Sequence, residues 1–100
     1  MGAEVSNTEQ GVNYVKGSTP TKSLATFITT SALTDRVKVL RLRAIGAGAV
    51  NQMVKGLITS EGRLIEKGIR LATKMSYQDI ETEGGGKVSA IQMVITFDYD

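Results

Sequence analysis

The feature that most constrains the fold is a strand pattern that runs through a short glycine turn directly into a helix pattern. Residues 37–44 alternate, so that one strand face carries leucine and alanine and the other carries arginine. Gly46 and Gly48 follow, and apolar side chains then recur every three to four positions. A strand that runs into a helix in this way predicts a crossover connection, and right-handed crossovers would place both helices on one face of the sheet.

The first strand and the two helices are predicted from side-chain type, capping and periodicity. Residues 12–15 have the β-branched and aromatic content of a short strand. Ser18 or Thr19 is expected to be the N-cap of the first helix, with Pro20 at its first position. Gly62 is a candidate end for the second helix, although the helical phase continues beyond it. The stripe that this helix is expected to turn toward the core contains Val50, Met53, Val54, Leu57 and Ile58.

The carboxyl-terminal third predicts an antiparallel hairpin. Residues 68–80 and 88–99 alternate on either side of a polar, glycine-rich turn. The resulting order, β-α-β-α-β-β, predicts an α+β two-layer sandwich with a four-stranded mixed sheet and both helices on one face. Residues 1–10 are predicted to be a flexible arm, and residues 11–100 a single domain.

Composition excludes several kinds of chemistry. The chain has 100 residues, 41% of them apolar, which suits one globular domain. It contains no cysteine and no histidine, so it has neither a thiolate nor an imidazole to act as nucleophile, base or metal ligand. We therefore expect no catalytic residues, no metal and no cofactor. No apolar run approaches the ~20 residues of a membrane helix, and a cytoplasmic protein without a membrane partner is expected.

Charge is unevenly distributed along the sequence. The formal net charge is +2, but residues 16–74 contain eleven basic and only three acidic side chains, a local net charge of +8. The segments before and after are acidic. Such a field attracts anionic partners. The residues expected to contact nucleic-acid phosphates are Lys16, Lys22, Arg41, Arg43, Lys55, Arg70 and Lys74. A second prediction concerns the sheet face that the helices leave uncovered, which should carry Arg41, Arg43, Arg70, Lys74 and Gln92 beside the apolar Ile45 and Val94.

The glycine turn admits more than one interpretation. Gly46 and Gly48 precede a helix N-terminus, where free backbone N–H groups favour anions, but glycines there also permit close packing of helix on sheet. A dinucleotide-binding fingerprint is disfavoured because Asn51 stands at the position of its third glycine. Asn51 and Gln52 are expected to cap the loop or to hydrogen-bond across a subunit interface, ahead of reading a base.

The run at residues 43–55, RAIGAGAVNQMVK, resembles the signature of the stage V sporulation protein S family, whose members carry a near-identical AIGAGALNQAVK segment. The similarity extends over residues 12–97. That family in turn resembles the Alba nucleic-acid-binding proteins and their initiation-factor-3 C-terminal-like fold. The resemblance implies the same β-α-β-α-β-β order, dimers or tetramers, and a role in bacterial sporulation control.

Two departures from the Alba pattern bear on function. Alba proteins carry a Gly-Lys-Lys-Pro turn before the first helix, whereas residues 17–20 here are GSTP, flanked by Lys16 and Lys22. The long basic hairpin of Alba is replaced by an acidic turn at residues 81–87. The leading prediction is a non-catalytic, homodimeric or homotetrameric regulator that binds DNA or RNA with low sequence specificity. The alternatives are a protein-assembly module without nucleic-acid contact and a small-ligand sensor at residues 46–52.

Overall fold

A computed structural model describes the backbone of residues 5–9 and all of residues 11–99. From residue 12 onward the elements follow the predicted order β-α-β-α-β-β, and one further strand precedes them. The elements are β1 (Val5–Glu9), β2 (Val12–Val15), α1 (Thr21–Leu33), β3 (Val39–Ala44), α2 (Ala47–Ile65), β4 (Ile69–Glu81) and β5 (Lys87–Tyr99). The predicted hairpin boundaries agree with β4 and β5 to within one residue.

The strands form one mixed sheet in the order β1-β2-β3-β5-β4. β2 lies parallel to β3, as the crossover through α1 requires, and the other neighbours are antiparallel. β1 adds a fifth, edge strand within the segment predicted to be a flexible arm. Its polar residues lack the alternation that marks a half-buried strand. Residues 1–4, 10 and 100 lie outside the described residues, and the flexibility of the arm stays a prediction.

The core lies between the two helices and one face of the sheet. β5 contributes the alternation that the sequence predicts, with Met93, Ile95 and Phe97 buried and Ile91 packed at the margin. The completely buried large apolar side chains of the described residues include two from each helix and three from the central strands. They are Leu24, Ile28, Met53, Leu64, Leu42, Met93 and Ile95.

The buried face of α2 differs from the predicted stripe. Its buried residues are Ala49, Met53, Gly56, Ser60 and Leu64, whereas Ile58 remains 61% exposed, so its assignment to the core was wrong. The buried face of α2 is turned relative to the predicted stripe because small residues face α1. They allow a close approach of the two helices, and the larger side chains lie at the margins of the contact. α2 also continues through Gly62 to Ile65.

The start of α1 also differs from the expectation. Pro20 itself occupies the N-cap position, with an extended ψ of 138°, and no side chain caps the helix. Thr19 is fully buried, and its hydroxyl accepts a hydrogen bond from the Lys16 N–H at 2.8 Å. The threonine therefore closes the preceding turn, and its side chain is not available to the helix.

The segment between α1 and β3 is attached to the last strand through Tyr99. The Tyr99 hydroxyl donates to the carbonyl oxygen of Val37, and the Arg36 guanidinium lies 4.0 Å from the centre of the ring. Burial raises the pKa of Tyr99, and the nearby Arg36 charge offsets part of that rise.

This raised pKa predicts an alkaline loss of stability. The neutral phenol is favoured in the folded state. Its contribution to the unfolding free energy is therefore complete below the ordinary pKa of 10.0 and is lost as pH rises through the higher pKa of the folded state. In urea unfolding at a series of alkaline pH values, the unfolding free energy of the wild type should fall more steeply than that of Tyr99→Phe. Equal slopes would contradict this prediction.

Candidate nucleic-acid interface

The sheet face opposite the helices carries cations in two neighbouring rows. Strand register places Arg41, Val94 and Lys74 opposite one another across β3, β5 and β4. The next row contains Arg43 and Gln92. Arg41 and Lys74 are exposed and point to the same side of the sheet, because residues directly opposite in neighbouring strands share a face. We call Arg41, Arg43, Arg70 and Lys74 the basic face.

Arg43 is held in position by its neighbours in the row. Its Nε donates to Oε1 of Gln92 at 2.8 Å, and its Nη1 donates to the Tyr14 hydroxyl at 3.4 Å. The side chain is half-buried. A guanidinium fixed by two side chains loses less conformational entropy on meeting a phosphate than a mobile one does. Tyr14 was not predicted as part of this surface, since its proximity to Arg43 depends on the parallel register of β2 and β3.

Arg70 lies at the far end of the same face and differs from the other three cations. It stands directly opposite Asp98 in the β4–β5 register, as a cross-strand pair of opposite charge. The neighbouring carboxylate offsets part of its field. The electrostatic centre of the basic face is therefore formed by Arg41, Arg43 and Lys74.

The remaining predicted phosphate contacts do not join this surface. Lys22 and Lys55 are exposed on α1 and α2, in the layer that covers the opposite side of the sheet. Lys16 directly follows β2 and is exposed at the end of the sheet. The seven predicted residues thus divide into a sheet-face group, a helix-layer pair and one lysine at the sheet end.

The glycine turn before α2 contacts the loop before α1. Gly46 is the N-cap residue of α2 and has a φ of 91°, a conformation that favours glycine. A Cβ placed on Gly48 would lie 3.7 Å from the Cα of Gly17, so the loops before the two helices are in contact. Gln52 donates to the Thr19 carbonyl at 2.7 Å, which matches the expected loop-capping role, and Asn51 is exposed.

Within the part of the chain that the structure describes, no cluster of three or more acidic, cysteine or histidine side chains is placed to hold a metal ion. Within the same residues, neither helix has the length and hydropathy needed to cross a membrane.

The architecture defines an Alba-like α+β fold. The structure is similar to that of Alba from Thermoplasma volcanium, with a TM-score of 0.59 and 16% sequence identity over 85% of this chain and 98% of that one. A comparison with curated proteins found no match. The family model described as Stage V sporulation protein S (SpoVS) matches residues 13–98, and the chain belongs to that family.

Proposed function

We propose that this protein is a small, non-catalytic regulator that binds nucleic acid through its basic face and acts as an oligomer in the bacterial cytoplasm. The observation that carries the proposal is the convergence of Arg41, Arg43 and Lys74 on the sheet face that the helices leave uncovered. Cations spaced across a sheet surface can contact phosphates of a nucleic-acid backbone. Such contacts supply affinity but do not distinguish one base sequence from another. The Alba-like fold and the membership of the family support the same proposal.

The experiment that tests the location of binding is amide chemical-shift mapping by NMR with a short mixed-sequence DNA duplex. The largest shifts are expected at the paired positions of β3, β4 and β5 around Val94. Residues on the outer surfaces of α1 and α2, including Lys22 and Lys55, should shift little. Shifts confined to the helix layer would contradict the proposed face.

An apolar groove supports the oligomeric part of the proposal. It has a volume of about 340 Å³ and lies between α2 and the helix-side surface of the hairpin, lined by Val50, Met75, Ser76, Tyr77 and Ile91. Met75 is 46% exposed and Tyr77 is 77% exposed, which is a large apolar area for so small a domain. We favour this groove over the α2 N-terminus as the interface, because Gln52 at the N-terminus already donates to the Thr19 carbonyl of the neighbouring loop. We propose that a second copy covers it.

Light scattering tests this self-association. The wild type should have two or four times the monomer mass at micromolar concentration, and Tyr77→Glu should shift it toward the monomer because a carboxylate cannot be buried unpaired in the groove. Ile65→Glu, at the exposed end of α2, is the matched control and should leave the mass unchanged. A monomeric wild type would contradict the proposal.

A further inference from the structure

A cleft of about 510 Å³ opens at the end of the sheet where β2 and β3 both finish. It is lined by residues 14–17, Arg43, Ile45 and Ile80. The two strands are parallel, with Val15 opposite Ala44, so the loops that follow them leave the sheet at the same edge. Small ligands bind at such edges in open sheets, and the volume lies within the usual range for a small-molecule site.

The lining combines two chemistries. Lys16 and Arg43 place positive charge on the cleft, and Arg43 is oriented by its bonds to Gln92 and Tyr14. Apolar surface faces the same space, since Ile45 is 48% exposed and Ile80 is half-buried in the part of the hairpin beyond β3. The Tyr14 ring adds an aromatic wall. A phosphate suits the cations, and a flat heterocycle suits the aromatic and aliphatic walls.

We infer that this cleft binds one nucleoside phosphate unit, either as an unpaired nucleotide of a bound single strand or as a free nucleotide. The inference rests on the proposed function and deepens it, because the cleft adjoins the basic face through Arg43. A duplex keeps its bases stacked and paired, so it can use the basic face without entering the cleft. An unpaired strand can turn a base outward against side chains. Single strands should therefore bind more tightly than duplexes with the same number of phosphates.

The test compares Ile45→Gln with a matched control, Ile58→Gln. Ile45 follows β3 outside regular structure, and Ile58 is another exposed isoleucine, on α2 and away from the cleft, so neither change empties the core. The probes are adenosine monophosphate, a short single-stranded DNA and a duplex of the same length, followed by NMR and fluorescence anisotropy. Ile45→Gln should weaken binding of the first two about tenfold, because the apolar area that a base would bury against Ile45 is worth about that much. Duplex affinity should stay within about twofold, and Ile58→Gln should change none of the three.

The outcomes separate the two claims. If adenosine monophosphate shifts the amide resonances of Gly17 and Ile45, a free nucleotide is a ligand of the cleft. If only the single-stranded DNA shifts them, the ligand is an unpaired nucleotide of a strand. Binding of the single strand and of adenosine monophosphate that are both unaffected by Ile45→Gln would overturn the inference. Duplex binding with neither a single-strand preference nor a response to adenosine monophosphate would also overturn it while leaving the proposed function standing. Failure of every probe would remove both.

Discussion

Replacing Arg41 and Lys74 together by alanine is expected to weaken duplex DNA binding about 60-fold at ~0.1 M salt and to flatten the log–log salt dependence by about 1.8. The reason is counterion release, since each phosphate contact contributes about 0.9 to that slope on a duplex. Both side chains are exposed and flank Val94 on the uncovered sheet face. Their loss should change the unfolding free energy by no more than about 0.5 kcal/mol each, so the effect on binding is measured on a folded protein.

The matched control removes the same charge from the helix layer. Lys55→Ala combined with Lys67→Ala lowers the net charge equally, at exposed positions in α2 and just after it. If binding takes place on the basic face, this control should weaken it only severalfold, through the overall field of the protein. Equal weakening by the two double variants, measured by anisotropy at several salt concentrations, would contradict a localised interface.

Gly56→Ala is expected to lower the unfolding free energy by about 1 kcal/mol or more, although alanine is the better helix former by about that amount. A Cβ at this position would lie 2.6 Å from Cδ2 and 2.7 Å from Cγ of Leu24, which is itself completely buried in a close-packed core. The two helices therefore touch at Gly56, and an added methyl must separate them. Overpacking of this kind typically costs about 1–3 kcal/mol before the propensity gain is counted, and it exceeds that gain when the neighbour is fixed.

Gly62→Ala provides the control within the same helix. A Cβ at Gly62 would meet nothing within 4 Å, so only the propensity gain of about 1 kcal/mol should remain and the protein should become more stable. Chemical denaturation of the two variants should thus move their midpoints in opposite directions. A stabilised Gly56→Ala would show that the helices can separate at no cost.

The order of elements could be predicted from the sequence because periodicity is a local property. The alternation of β3 and β5 and the hairpin around residues 81–87 are each contained in a short window. β1 could not be predicted in the same way, because its sequence, VSNTE, carries no alternation of apolar and polar residues. Gly56 was missed for a related reason, since a glycine at a helix contact adds nothing to an apolar pattern and its role depends on Leu24, far away in the sequence.

The basic face could be predicted only in part. Alternation within a strand placed Arg41 and Arg43 on one side, and the hairpin placed Lys74 with them. The register decides which of these cations are neighbours, and it depends on pairing between segments that are distant along the chain. That is why the compensation of Arg70 by Asp98 was not foreseen. The count of charges along the sequence also placed Lys22 and Lys55 among the phosphate contacts, although both lie on helices that cover the other side of the sheet.

Nucleic-acid binding is tested most directly by titrating the wild-type protein with unrelated DNA and RNA sequences at about 50 and 200 mM salt, where a several-phosphate interface should show a steep difference in affinity. We expect binding to all of them at the lower salt, with similar affinities for different sequences of one kind. The logarithm of the affinity should fall linearly with the logarithm of the salt concentration. The absence of binding to any DNA or RNA at the lower salt would contradict it and would favour a protein-assembly module.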